Sequence, residues 1–418
     1  MVNVNVPTIE QSEVSFAVSF GNIRPENAID LTIREITLGE SLLTPGLQTS
    51  VLVDSFLHVS PDQGGKATPP KNFDDYKNKI MSINIERPML QFHSMQTSLQ
   101  VQQRIYRVDN RQLINNNNER FRVHACDDTL LNDARSLVSK SWKCTTPSNI
   151  VSEVLRACAG VSRLEVEDAT PSRDYVAENI HPFQVVAQQA NASLAGGSDP
   201  SFLHYMTYED LGTHKFRSVY SLTKASPVFS QPFLFAETGA IAGYNNPYTI
   251  LQYSFPCDFD LLSDLLNGID VDGSNISSVV TTNPSSSTSS LFGNQALGCG
   301  IGGGVYNLTK TNFGTEKSQD QCTFEVEKYL LKRQARMNLL EQDKIALKVT
   351  VPWNPELNVG KMIDVLFPRK TGKAGTSNDV LYGTGRYLIV NLVHTIKSGG
   401  FSTTTMECVA QTAGQGVV

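Results

Sequence analysis

A mainly β fold with a small α+β unit at its centre is predicted by three observations. Apolar and polar residues alternate at both ends of the chain, as in Val14, Phe16, Val18 and Phe20 and again in Ile345, Leu347, Val349 and Val351, which is the period of a half-buried strand. Helical periodicity is concentrated in residues 127–196. From about 256 to 304 the composition turns to Ser, Thr, Asn, Pro and Gly, as in a linker or surface insertion. Several short strands in a block imply a sandwich or barrel. The predicted architecture is two β-barrel-like domains separated by a small α+β domain. The first barrel takes residues 1–125, the α+β domain 126–224, and the second barrel 225–262 with 345–418, interrupted by an insertion at 263–344.

In chain order, the first block opens with the strand around Val14–Phe20, followed by Ile29, Leu31 and Ile33 in the same period. Further strands are predicted at 49–53, 81–85, 99–108 and 120–125, separated by Pro, Gly and Asn punctuation. The period then changes. Asp127 and Asp128 can cap a helix running to Lys140, with Leu130, Leu131, Ala134, Leu137 and Val138 as its apolar face. A second helix starts at Thr146-Pro147, carries Ile150, Val151, Val154, Leu155 and Cys158 inward, and stops at Gly160. A third occupies 182–196. Residues 202–209 and 215–222 flank Asp210-Leu211-Gly212 and read as a β-hairpin. Beyond the Ser/Thr-rich stretch 281–290, predicted to lie on an exposed loop or to cross to a neighbouring subunit, a charged helix is expected at 323–342. Strands return at 345–351, 361–367, 386–396 and 403–410.

With 418 residues, of which 18% are charged, and a net charge of -6, the chain is too long for one small domain, at roughly 150 residues per domain. It is also too acidic to coat duplex phosphates. Low charge density suits a protein whose surface is largely covered by other subunits, since interface cores are depleted in charge. No apolar run reaches the roughly 18 residues of a membrane span, and Met1-Val2-Asn3-Val4 lacks the layout of a signal peptide. Stable membrane insertion is not expected. The seven cysteines are scattered and never spaced C-x-x-C. The expectation is therefore small core residues in a reducing cytoplasm, without a disulfide framework.

Each chemical motif fails on context. Gly298, Gly300, Gly302, Gly303 and Gly304 invite a phosphate-loop reading, but no strand precedes them and no Gly-Lys-Ser/Thr ends the run. Asp270-x-Asp272-Gly273-x-Asn275 resembles the start of a calcium loop, yet Asn275 and Thr281 stand where the loop needs Gly and an acid. The histidines, including His124 and His394 inside strands, show no H-x-x-x-H or H-E-x-x-H spacing. No G-x-S-x-G elbow is present, and Asp127-Asp128 is explained by capping. Catalytic residues, cofactor-binding residues, metal ligands and cofactors are each expected to be none, and the protein is expected not to be an enzyme.

Three segments together resemble the central baseplate hub proteins of contractile-tailed bacteriophages. One is Phe121-Arg122-Val123-His124-Ala125 passing at once into the helix at 127–140. Another is the 202–222 hairpin, with Phe216-Arg217-Ser218 and Ser221-Leu222 in its returning strand. The third is Gly360-x-x-Ile363-x-Val365-x-Phe367-Pro368, followed by Gly385-x-Tyr387-x-Ile389 and His394. Val359 stands where that family often has Pro, which alters the turn but not the strand. The resemblance implies a non-enzymatic homotrimer in which two barrels per subunit form a six-part ring. Such a ring joins the sixfold tail tube to the threefold cell-puncturing spike. The implied partners are the spike, the tail tube or tube-initiator protein and the baseplate wedge proteins, with DNA only in transit through the channel. The implied location is the virion tail baseplate, after synthesis in the host cytoplasm. Two other functions stay open on the residues alone: another virion tail structural or receptor-binding protein, and a tail-associated cell-wall hydrolase. A cleft of convergent carboxylates would mark the hydrolase.

Overall fold

The structure is a computed structural model in which residues 14–21, 31–56, 76–115, 118–196, 199–235, 246–256, 279–282, 306–309, 333, 336–337, 340, 345–367 and 383–410 are described. The first block of strands is β1 (Ser15–Phe20), β2 (Leu31–Ser41), β3 (Gln48–Phe56), β4 (Ile80–Glu86), β5 (Ser98–Asn115) and β6 (Asn118–Cys126). The middle holds α1 (Asp128–Arg135), β7 (Val138–Thr145), α2 (Pro147–Ala157), β8 (Leu164–Val166), β9 (Arg173–Ile180), α3 (Pro182–Asn191), β10 (Phe202–Thr207), β11 (Thr213–Ser218) and α4 (Val219–Lys224). After it come β12 (Phe233–Phe235), β13 (Thr249–Ile250), β14 (Gln252–Ser254), β15 (Val279–Thr282), β16 (Tyr306–Thr309), β17 (Leu347–Pro352), β18 (Met362–Leu366), β19 (Gly385–Lys397) and β20 (Thr403–Val409).

The fold is mainly β, but its hydrogen bonding differs from two separate barrels. Thirteen strands from both ends of the chain form one sheet, and among the described residues it does not close on itself. The reason lies in β19. One edge of this long strand pairs with β20, while its other edge pairs first with β18 and then, past a bulge at Ile389/Asn391, with β2. A strand of this length reaches from one hydrophobic core to the other. Val51, Val53, Ile83, Val101 and Val123 belong to the first core, and Leu347, Val349, Ile363, Ile389 and Met406 to the second. Partners change along β5: Ser98–Arg104 pair with β4, and the residues from Arg104 on pair with β6.

In the middle unit Asp127 caps α1 as expected, its carboxylate accepting the Thr129 N–H at 2.8 Å. The helix stops at Arg135 rather than Lys140. Ser136 is extended, Ala134 and Leu137 face solvent, and Val138 with Trp142 turns inward from β7. A β-branched and an aromatic residue favour that strand over a further helical turn. The second helix buries Ile150, Val151, Val154 and Leu155, with Cys158 only half-buried. The third ends at Asn191, short of Gly196, because Leu194 and Ala195 turn to bridge Thr170 and Asp199. The hairpin pairs β10 with β11, but its returning strand ends at Ser218, which caps α4.

Thr281 and Thr282, expected in a loop, belong to β15, which pairs in parallel with β16. Residues 283–290, the glycine cluster, the 270–275 turn and most of the helix expected at 323–342 lie outside the described residues. Cys126 and Cys408 are buried free thiols. Cys144 departs from expectation: it is disulfide-bonded, with its partner outside the described residues. It sits exposed at a positive φ of 48° in an irregular stretch of β7.

Candidate functional surface

Within the sheet, β14, β17, β20, β19, β2, β3, β6 and β5 form an unbroken row of eight strands, each antiparallel to the next. Four come from each end of the chain. The register carries one polar face across all eight. Asn391 of β19 lies between Ser41 of β2 and Glu407 of β20, and Thr395 between Thr37 and Thr403. Thr350 of β17 lies between Thr405 and Gln252 of β14. On the other side Ser50 of β3 lies between Thr37 and His124 of β6, and His124 faces Arg107 of β5. All of these side chains are exposed or half-buried, whereas the alternate residues, such as Ile36, Leu38, Val51, Val123, Leu392 and Met406, are in the cores. Period-2 alternation therefore separates the two faces strand by strand.

Many charges on this face are paired within it. Asp54, 1% exposed, takes Arg34 Nε at 2.7 Å and Arg120 Nε at 2.7 Å. The Arg120 hydrogen bond, with Arg34 beside it, holds the Asp54 carboxyl below its usual range. Asp109 takes both Arg107, at 2.8 Å, and His124, at 2.9 Å. A ladder then crosses the midline of the row: Ser41 Oγ donates to Asn391 Oδ1 at 2.7 Å, Asn391 Nδ2 to Glu407 Oε2 at 3.0 Å, and Lys348 Nζ pairs with Glu407 Oε1 at 3.0 Å. Arginines held by carboxylates in this way have little charge left for a phosphate backbone.

Behind the midline the two ends of the chain and the middle unit meet on Glu40. It occupies an inward position of β2, in register with Ile36, Leu38 and Leu42, and is 4% exposed. Its Oε1 accepts the Tyr208 N–H at 2.6 Å and Asn358 Nδ2 at 3.1 Å, and its Oε2 accepts the Val359 N–H at 2.9 Å. Burial outweighs these donors and pushes its carboxyl up to about 7. Neighbouring Glu209 is the opposite case. Burial opposes its ionisation, but Lys361, at 2.5 Å, and Lys215 pull it down to about 2. Gly360 lies against this joint at a φ of +81°, where a Cβ would stand 2.8 Å from the Tyr205 hydroxyl.

Two more anchors fix the joint. Trp353, after β17, is buried in the first core, and its carbonyl accepts Arg87 Nη1 at 2.8 Å. Arg333 donates from Nη1 to the carbonyls of Pro200, Ala190 and Phe202 at 2.8, 3.2 and 3.4 Å, while Leu340 enters the second core. In the middle unit, His204 Nε2 lies 3.0 Å from His214 Nδ1, and His214 Nε2 lies 2.9 Å from Thr129 Oγ1, with Phe183 edge-on to His204. Burial drives both imidazoles below their usual range, His214 to about 3. His394 is also buried, bonded to Thr404 Oγ1 at 2.8 Å, and His124 lies on the polar face. No group of three His, Cys, Asp or Glu able to hold a metal occurs among the described residues.

Sequence reasoning missed Glu40. Its signal was present: a lone carboxylate in the apolar register Ile36-x-Leu38-x-Glu40-x-Leu42. The polar face was legible within each strand but not across strands.

No protein-family profile matches the sequence, and no curated protein matches it. The fold, however, is shared with two tail proteins. The 43 kDa tail protein of prophage MuSo2 from Shewanella oneidensis superposes with a TM-score of 0.54 at 10% identity, over 95% of this chain and 98% of that one. The tail protein from Neisseria meningitidis MC58 does so with a TM-score of 0.52 at 10% identity, over 95% and 97%. At that identity the likeness is one of fold.

Proposed function

We propose that this chain is a structural component of a phage tail, acting as the baseplate hub. In this reading it forms a homotrimeric ring that adapts the sixfold tail tube to the threefold cell-puncturing spike and leaves a channel for genome ejection. The observation that carries the reading is the eight-stranded polar face, to which each end of the chain contributes four strands. A subunit built this way offers two near-equivalent halves, so three subunits present six positions on one side while remaining threefold as a whole. Three copies set about 24 strands around an axis, and at about 4.8 Å per strand their perimeter is about 115 Å. The backbones then stand about 37 Å apart, and a side-chain layer of about 5 Å on each wall leaves about 27 Å open. That width passes a DNA duplex.

Cations held in ion pairs suit the same role, because free cations on the wall would hold the phosphates and slow ejection. In this reading the protein has no catalytic activity of its own, and it contacts the spike, the tube or tube initiator, and the wedge proteins. The fold shared with two tail proteins is consistent with it. Electron microscopy of the purified protein tests it directly. Class averages of a three-subunit ring with six lobes and an open centre are expected. A true sixfold ring would make the chain a tube component instead, and a particle without a channel would end the hub reading.

A further inference from the structure

Beyond β5 the sheet continues through β4 to β1, outside the eight-stranded row. The register there sets small and amide side chains together on one face. Asn84 of β4 lies opposite Gln100 of β5, and Ser82 lies between Gln102 of β5 and Ser19 of β1. All five are exposed or half-buried, whereas the alternate residues Val18, Ile83 and Val101 turn into the first core. Leu211, at the tip of the β10–β11 hairpin, joins them in lining a groove of about 470 Å³. That volume falls within the small-ligand range of about 300–1,000 Å³.

Three features set the groove apart from a merely solvated sheet face. None of the ten described residues that line it is charged, in a chain where 18% are. Asn84 donates from Nδ2 to Glu86 Oε1 at 2.9 Å, but its Oδ1 has no hydrogen-bond partner, and an unmet acceptor is where an incoming donor gains most. Leu211 and the preceding Asp210 hold φ angles of 66° and 50°. Such angles are costly for residues other than glycine and persist where the surrounding structure imposes them, a pattern found at ligand clamps. Here they hold an apolar side chain, 39% exposed, against a polar floor.

We propose that this groove binds a neutral oligosaccharide. Hydroxyl and amide side chains both donate and accept, as sugar hydroxyls do, so the five floor residues can meet a sugar ring whichever way its hydroxyls point. Leu211 supplies the apolar surface on which the C–H face of the ring packs. The absence of charge among the described lining residues selects against anions, since no cation is there to hold a phosphate or carboxylate. A peptide strand is disfavoured because β4, at the middle of the floor, is paired on both sides and leaves no backbone ladder to join. Because β1 and β4 take no part in the eight-stranded row, the site does not depend on the ring reading.

Ligand-observed saturation-transfer NMR on the full chain tests the site. The probes are neutral trisaccharides of glucose, galactose, mannose, rhamnose and N-acetylglucosamine, with sialyllactose as an acidic glycan and a Gly-Ser hexapeptide as controls. At least one neutral trisaccharide is expected to bind saturably, with a Kd of about 0.1–10 mM, and at least tenfold more tightly than either control. Ser82→Tyr fills the groove from an outward strand position where an aromatic residue is favoured, and Gln100→Ala removes an exposed floor amide. Each is expected to weaken binding at least tenfold at an unchanged melting temperature. Should Ser82→Tyr fail to fold, Gln100→Ala decides alone. Saturable binding by none of the neutral probes, binding that survives Gln100→Ala in full, or equally tight binding of sialyllactose or the peptide overturns the assignment.

Discussion

Glu40 shows how one residue can record a whole assembly of elements. Its carboxyl is held near 7 rather than 4.5 by burial, so between those values the folded chain keeps a proton that the unfolded chain has lost. Its contribution to stability is therefore fullest below about 4.5 and declines as pH rises toward 7. Urea denaturation across that window should show the gap between wild type and Glu40→Gln moving in the variant's favour, by on the order of 3 kcal/mol. A gap independent of pH would refute the shift. His214 and His394, both held near 3 by burial, act with the opposite sign. They are neutral when folded, so their contribution is present above about 6.5 and lost as pH falls. Gly360 offers a second test at this scale. Gly360→Ala forces a Cβ onto the Tyr205 hydroxyl at a backbone angle suited to glycine, and should cost about 2–4 kcal/mol in the urea midpoint. Adding Tyr205→Phe should recover the contact part of that loss and leave the backbone part.

Among the elements, β19 and the residues that brace it decide how the halves sit. Most strands obey a two-residue alternation that needs only neighbours on one face. The long β19 must satisfy β20 along one edge and two unrelated strands along the other, and its bulge marks where it changes from β18 to β2. Arg333 braces the middle unit in a comparable way, since one guanidinium serves three carbonyls around the end of α3 and the start of β10. Arg333→Ala should destabilise the chain by about 2–3 kcal/mol. Hydrogen exchange should rise in 190–202 with little change in the first core, and uniform acceleration throughout would contradict that local role.

For the whole molecule, the decisive property is the pairing of charges on the polar face. Asp54 restrains two arginines at once, so Asp54→Asn should release both toward the proposed channel. Fluorescence anisotropy with duplex DNA is expected to show binding by the variant at low salt, with a slope against log salt steeper by about 1–2 than that of wild type. Equal, weak binding by both proteins would show that the face does not meet DNA electrostatically.

By itself the sequence determined which residues face inward along β1, β2 and β17, where α2 begins and most of the residues it buries, the Asp127 cap and the hairpin tip at Asp210-Leu211-Gly212. These depend on local periodicity and on backbone preferences within a few residues, which the chain writes down directly. Where α1 ends was less legible, because Leu137 and Val138 suit either period until Trp142 finds its core. Only the tertiary structure decided that β2 meets β19, some 350 residues later, and so turned two strand blocks into one sheet with one polar face. It alone brought Tyr208, Asn358 and Val359 onto Glu40 and two arginines onto Asp54. Strand order and long-range pairing follow from how two cores pack against a shared strand, and that packing depends on contacts no local pattern encodes.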